Sequence, residues 1–470
     1  MITKKDLSAE QKVALEHLLK FSLNSTEQQM VLAGYAGTGK SSLINVFLRE
    51  MDKSNSFMRI YCTAPTNEAV RVISNATGRK YEMTIYSLLG LVLVEESGMK
   101  PKIEQKAKSK IDEYDIIVLD EASMIGDELL SIIYTMLKKY PHLKMIYVGD
   151  HAQLPPINTS EPLFDAVHGE ETPEQVESSV FRLSNKIELT EVQRIAKNNP
   201  IINIVTPIRM NLNSKEDCFD RTSYYNEGSG VQFYELANEF AELMYADFLS
   251  PEYKKNINYV RVIAYTNKTV GKLNAKIRSK IFNCEVPDEY IPGEVLIVAS
   301  PIVKTIKKNM KEILLSTGER VQVLEVNHRI EDETNLNIWD LSIKKYDNKD
   351  DKTFNVIVVS KDSEGEYLEL LHSYATKAKK MMAMTKYEDG KHKPVYTSLE
   401  AWSEYYAFRD RFCKMKYSYA MTTHTSQGAT VERVYVVERD LNILTWNDVI
   451  RNKLKYTAFT RASKLLRVLM

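Results

Sequence analysis

The shortages of this 470-residue sequence sort it before any motif does. It holds only 4 cysteines, at positions 62, 218, 284 and 413, and no two form a C-x-x-C pair. That spacing excludes a cysteine-type zinc site and predicts a reducing compartment. Its 14 prolines and 17 glycines are too few for a collagen-like or low-complexity chain. The densest apolar run, residues 88–94, is far shorter than the roughly 20 residues a membrane helix needs. Residues 1–6 have no apolar stretch behind them, so no signal peptide is expected. These absences predict a soluble, cytoplasmic protein with no membrane partner. Neither sign of charge dominates, since 63 Lys and Arg balance 63 Asp and Glu. Nucleic-acid binders are often basic, so the total argues mildly against one. The distribution is less even: from Lys377 to Lys416, ten basic residues stand against five acids. That stretch is either a solvated helical face or a cationic surface.

What is present is concentrated in a few short runs. Residues 34–41 read Gly34-Tyr35-Ala36-Gly37-Thr38-Gly39-Lys40-Ser41, a complete G-x-x-x-x-G-K-S loop. An apolar run at 30–33 precedes it and a helix-like stretch, 42–51, follows. Strand, glycine turn and helix start in that order are what a phosphate cradle requires. Gly37, Thr38, Gly39, Lys40, Ser41 and Ser42 then offer backbone N–H groups and a helix N-terminus to a triphosphate. Lys40 is placed to reach the β- and γ-phosphates, and the Ser41 hydroxyl to ligate Mg²⁺. The chain is expected to use ATP with Mg²⁺.

About 80 residues later, the apolar run 116–119 delivers Asp120 and Glu121 to its carboxyl end. Asp120 suits Mg²⁺ and Glu121 suits a general base on the attacking water. A third run, 147–156, carries Gly149-Asp150-His151-Ala152-Gln153-Leu154-Pro155. Gln153, an uncharged donor and acceptor, can sense the γ-phosphate and report it to a neighbouring surface.

Taken together these runs resemble the motifs of superfamily 1 helicases, and the resemblance covers nearly the whole chain. Gln11 resembles the adenine-reading Q motif. Pro65, Thr66 and Asn67 resemble motif Ia, and Thr84, Tyr86 and Ser87 motif Ib; both touch single-stranded DNA in this family. Leu189–Arg194 resembles motif IV, Thr423–Gly428 motif V and Tyr456–Ala462 motif VI. The resemblance implies Arg194 and Arg461 as arginine fingers on the triphosphate, each contributing ~10³–10⁵ to the rate. It further implies DNA contacts by Pro155, His424, Thr425 and Ser426. The pattern is most similar to the RecD/Dda branch, whose members move 5′ to 3′ on single-stranded DNA.

Three positions depart from that pattern. Tyr86 replaces a histidine, Thr425 replaces a basic residue, and Asn67 replaces a larger ring. The 91–106 insertion reads as a hairpin whose tip, with Gly98 and Met99, carries no aromatic; Met99 or Ile103 is left as an apolar wedge. Tyr86, Tyr396 and Trp402 each offer a face for stacking on bases or for packing in a core. Trp402 resembles an aromatic that secures the region opposite the hairpin in this family.

The expected fold is α/β, a P-loop NTPase with two tandem RecA-like domains, a pin hairpin and an SH3-like β-barrel. Alternating strands and helices predict a first motor over 1–190 and a second over 191–290 and 406–470. Short β-like runs and charged turns predict the barrel and its helical extension over 291–405. The resemblance implies an ATP-dependent DNA helicase acting as a monomer on single strands and forks, in the host cytoplasm if phage-encoded. Phage single-strand-binding and recombination proteins are the expected partners. A translocating remodeller that unwinds poorly, and the motor subunit of a recombination nuclease, are the alternatives.

Overall fold

The computed structural model describes residues 3–54, 57–94, 102–105, 107–155, 177–191, 199–226, 228–307, 310–346, 352–384, 396–443 and 447–470. They form two compact units. One comprises Met1–Val92, Ile103–Pro287 and Tyr419–Met470; the other comprises Leu93–Lys102 and Asp288–Ser418.

The first unit holds two parallel sheets. One runs in the spatial order Ile60–Thr63, Ile116–Leu119, Lys144–Gly149, Gln29–Gly34, Lys186–Leu189, every neighbouring pair parallel. Its central strands are almost continuously buried and apolar, as strands of a parallel sheet covered on both faces are. The strand before the glycine loop is flanked by strands far from it in sequence, so a crevice opens at its carboxyl end. The second sheet runs Ala420–Thr422, Val260–Ala264, Val431–Val437, Ala462–Leu469, Ser229–Tyr234, Tyr224–Asn226. All its pairs are parallel except the last, an antiparallel edge. The strands at 229–234 and 224–226 add to the expected pattern of this motor.

The second unit is built on an antiparallel sheet, Thr353–Val359, Asn337–Lys345, Arg320–Ile330, Val295–Val298, Met415–Tyr417, with Phe412–Cys413 added in parallel at one edge. Its interior is an apolar set of Leu296, Val298, Val321, Val323, Leu341 and Ile343. A hairpin, Ile302–Lys307 with Met310–Leu315, is an element the sequence pattern missed. The helices Glu364–Met384 and Tyr396–Arg411 form the extension, packed through Tyr367, Phe408 and Phe412. The unit runs on to Ser418, past residue 405, because the strands at 412–413 and 415–417 pair inside it. The strand that brings the chain in and the strand that takes it out lie side by side, Leu296 opposite Tyr417.

The 91–106 hairpin is present as the strands Leu91–Val94 and Lys102–Gln105. Gly98 and Met99 lie outside the described residues. Ile103 is half-buried against the core of the first motor.

Candidate active site

The glycine loop leaves the buried strand Gln29–Gly34 and delivers Lys40 as the first residue of the helix Lys40–Ser54. Gly37 and Gly39 adopt φ of 85° and 80°, a left-handed backbone that glycine takes without steric cost. A Cβ on Gly34 would lie 2.9 Å from the Thr38 hydroxyl and 3.0 Å from Leu189 Cβ, so the loop can curl only around glycine there. Lys40 Nζ donates to the Gly34 and Tyr35 carbonyls at 2.5 and 3.0 Å. The ammonium is thereby held across the loop, where phosphate oxygens would compete for it.

Gln11 sits in the first turn of Ala9–Asn24, buried at 5% exposure. Its Nε2 donates to the Thr38 carbonyl at 3.0 Å, and its Oε1 accepts the Ser8 N–H at 3.1 Å. The side chain therefore braces the phosphate loop from behind. Next to it, Glu10 accepts Thr190 N–H, Thr190 hydroxyl and Glu191 N–H at 2.9, 2.9 and 3.0 Å. Burial pushes the Glu10 carboxyl up, but these bonds outweigh it and hold the pKa below the usual value. The start of the expected motif IV is thus anchored to the first helix. Arg194 lies outside the described residues.

Asp120 and Glu121 follow the fully buried strand Ile116–Leu119. Asp120 N–H donates to Thr63 O at 2.9 Å, and its Oδ1 accepts the Glu121 N–H at 2.9 Å. Glu121 has φ of 52°, a left-handed conformation that costs a non-glycine residue about 1–3 kcal/mol. Desolvation and the neighbouring Asp120 push its carboxyl up to about 7, against the opposing pull of Arg461 and Lys40. A carboxyl tuned towards neutrality, in the field of the loop lysine, suits proton transfer.

The 149–155 run is where the two sheets meet. A Cβ on Gly149 would lie 2.9 Å from Phe181 and 3.1 Å from the Ala122 amide, so this loop packs directly on the Asp120-Glu121 turn. Asp150 is fully buried. Its carboxylate accepts Ala36 N–H at 2.8 Å, Ala152 N–H at 2.9 Å and the Tyr456 hydroxyl at 2.7 Å. Leu154 N–H donates to the Thr457 hydroxyl at 3.1 Å, and Gln427 Nε2 donates to Leu154 O at 3.0 Å. Lys453 Nζ donates to the carbonyls of His151 and Gln153. Burial pulls the Lys453 ammonium down to about 8. Gln153 is 4% exposed, and its Oε1 has no partner among the described residues. Pro155 is half-buried beside it.

Arg461 emerges just after the helix Asp448–Phe459 and is 5% exposed. Its guanidinium donates to Thr457 O, Ala429 O and the Thr460 hydroxyl at 3.0, 3.2 and 3.1 Å. Those bonds aim a fixed charge whose field reaches Glu121.

The expected DNA contacts separate into two groups. Thr66 and Thr84 each cap a helix, accepting the N–H of Ala69 and Ser87 at 3.2 Å. Ser426 is buried and donates to Thr423 O at 2.7 Å. Tyr86 packs on the core of the first motor, and burial drives its phenol up to about 12. Burial also pulls His424 down to about 4, so its ring is neutral at physiological pH. Pro65, Asn67 and Ser87 stay partly exposed, and Thr425 is exposed with its hydroxyl paired to Thr422 at 2.9 Å. Gly428, with φ of 76°, would place a Cβ 2.7 Å from Ala69 Cβ and 3.3 Å from Thr66 Oγ1. The loop after the strand Ala420–Thr422 therefore abuts the first turn of Asn67–Thr77 across the two motors. In the other unit, Trp402 stacks on Tyr406 with centroids 5.9 Å apart. The side chain of Tyr396 lies outside the described residues.

A family described as an AAA domain matches residues 6–206, and one described as the Dda helicase SH3 domain matches 287–417. The ATP-dependent DNA helicase dda of Enterobacteria phage T4 is 28% identical over 92% of this chain and 92% of its own length. The chain is Dda-like, of helicase superfamily 1. The ATP-dependent RecD2 DNA helicase of Deinococcus radiodurans is 31% identical over 42% of the chain and 23% of its own length. A crystal structure of Pif1 helicase from Candida albicans is 15% identical, covering 98% of this chain and 94% of that one, with a TM-score of 0.47.

In this Dda-like chain, the residues that sequence reasoning left without a role are Asp150, Gln427, Lys453 and Tyr456. Asp150 and Tyr456 lie inside the runs that carry the family likeness, so the signal was local. Their partnership, across 306 positions, was not.

Proposed function

We propose that the chain is an ATP-dependent DNA helicase that moves 5′ to 3′ along single-stranded DNA, separates duplexes at forks and displaces bound proteins. It works as a monomer, in phage replication or recombination. The observation that carries this reading is the way one helix end of the second motor, Tyr456 to Arg461, reaches both the phosphate loop and the field of Glu121. A nucleotide site completed only by a second domain converts hydrolysis into relative motion of the two.

The N–H groups of Gly37 to Ser42 receive the phosphates, and Lys40 leaves its loop carbonyls for the β- and γ-oxygens. Ser41 and Asp120 are hard oxygen donors at a helix start and a strand end. Among the described residues no group of three or more His, Cys, Asp or Glu forms a metal cluster. A pair of oxygen donors such as Ser41 and Asp120 suits Mg²⁺, which keeps waters and substrate oxygens rather than an all-protein cage. When bound, Mg²⁺ neutralises charge on the phosphate oxygens. Glu121, with its pKa near 7, orients the attacking water and takes its proton. Arg461, joined by Arg194, stabilises the charge spread over the transferring phosphoryl group. Gln153 senses the γ-phosphate through its Nε2–H donors, while its Oε1 can accept from the attacking water. Gln11 sets the back of the loop and lies at the adenine side.

Single-stranded DNA crosses the paired surfaces around Pro65, Asn67, Ser87 and Thr425, where Gly428 meets Ala69. A remodeller with weak unwinding is the second reading. It is favoured by the neutral His424, by Thr425 where a cation is expected, and by Tyr86, half-buried against the core of the first motor. Strand displacement on forks with a 5′ or a 3′ tail separates the readings. Unwinding of the 5′-tailed fork supports the helicase, unwinding of the 3′-tailed fork alone overturns the polarity, and translocation without unwinding favours the remodeller.

A further inference from the structure

The first half of the phosphate loop belongs to two cores at once. Tyr35 and Ala36 leave the first motor's strand, yet both pack against the apolar cluster of the second motor, with Ile204, Ile208, Phe459 and Tyr456 among its members. The Arg209 guanidinium, from the helix Ile201–Met210, lies over the Tyr35 ring at 4.1 Å. The Ala36 N–H donates to Asp150 Oδ2 at 2.8 Å and to the Tyr456 hydroxyl at 3.0 Å. The same hydroxyl donates to Asp150 at 2.7 Å, closing a ring of three groups from three distant parts of the chain. Tyr456 and Asp150 are both fully shielded from solvent.

We propose that Tyr456 is a positioning residue for hydrolysis: its hydroxyl, bridging Asp150 and the Ala36 amide, makes the shape of the phosphate loop depend on closure of the two motors. The inference rests on the helicase reading and deepens it. Tyr456 and Arg461 ride on one helix end, since Arg461 Nε is held by the carbonyl of Thr457. Closure that brings in the arginine therefore also seats the hydroxyl on the loop. Opening removes both, and it strips Tyr35 and Ala36 of their packing. The Ala36 amide keeps Asp150 as an acceptor when the hydroxyl is deleted, so the loop remains satisfied and the fold survives. What is lost is the link between closure and loop geometry.

The test is steady-state ATP hydrolysis by the full-length chain with saturating single-stranded DNA. Tyr456→Phe lowers kcat about ten-fold or more, as expected for one lost hydrogen bond to a charged group, while the KM for ATP changes less than about three-fold. Asp150→Asn lowers kcat similarly and carries the same prediction should Tyr456→Phe not fold. The double variant is no slower than the worse single one, because both act through one ring. Additive losses would indicate two unrelated packing defects and overturn the proposal. So would a Tyr456→Phe kcat within about two-fold of the parent chain. A parent chain without DNA-stimulated hydrolysis overturns the helicase reading, and the proposal with it; an active parent with an unaffected variant overturns the proposal alone.

Discussion

Replacing Gly428 by alanine separates closure of the motors from folding of either one. The added Cβ meets Ala69 Cβ at 2.7 Å and Ala69 Cα at 3.3 Å, about 1 Å inside ordinary contact distance. Neither atom is the end of a flexible side chain; both are fixed to the first turn of the helix Asn67–Thr77. The clash exists only while the motors touch, and overpacking of this kind costs about 1–3 kcal/mol. That shifts the closed population by about 5- to 150-fold. A second cost, about 1–2 kcal/mol for alanine at φ of 76°, falls on the second motor whether open or closed. Thermal unfolding reads the second cost, and the DNA-stimulated kcat reads the first. Ala69→Gly in the same chain removes the 2.7 Å contact, so the double variant recovers most of the rate. It does not recover thermal stability, because glycine in a helix costs about 1 kcal/mol more. A Gly428→Ala chain hydrolysing at the parental rate, or a double variant as slow as the single one, would refute the reasoning.

Three further outcomes are expected. Lys40→Ala abolishes DNA-stimulated hydrolysis and Glu121→Gln lowers it about 10²–10⁴-fold, with circular dichroism unchanged; full activity in Glu121→Gln removes the base assignment. With Glu121 as the base, and burial and Asp120 holding its carboxyl well above the usual carboxylate range, kcat rises as the pH is raised from 6 to 8. Folding raises this pKa above its ordinary 4.5, so the group favours the folded state at low pH and loses that effect as pH rises through 7. A parental kcat flat across that range contradicts the assignment. Thr425→Lys tightens binding to single-stranded DNA and steepens the log–log salt slope by about 0.7, the value for one added phosphate contact. An unchanged slope in fluorescence titrations places Thr425 away from the strand.

The parts legible in the sequence were those in which neighbours along the chain decide the geometry. The loop from Gly34 to Ser41 and the Asp120-Glu121 pair take their shape from a strand end and a helix start, both written locally. The alternation of buried strands and helices in the two motors was equally plain. Hydroxyl groups were harder, because Ser and Thr bond local backbone as readily as phosphate. Thr66 and Thr84 accept N–H groups as helix caps, and Ser426 donates to a carbonyl three residues back, roles that a phosphate-contact pattern does not announce. Aromatic residues were ambiguous for a different reason: Tyr86 has the same side chain whether it stacks on a base or fills a core, and only burial decides. Asp150 and Tyr456 were invisible as a pair because they stand 306 positions apart, and no local pattern encodes a closed interface.

The pairing of Leu296 with Tyr417 has a consequence for how such a chain can change over evolutionary time. The 131 residues from Asp288 to Ser418 belong to one unit, whose first and last long-sheet strands, Val295–Val298 and Met415–Tyr417, lie side by side at roughly 4.8 Å. Entry and exit are thus hydrogen-bonded neighbours within the sheet of this unit itself. A lineage can therefore lengthen, replace or discard the barrel and its helices as a cassette while every strand of the motor sheet keeps its neighbours. The engine and its attachment are free to diverge at different rates.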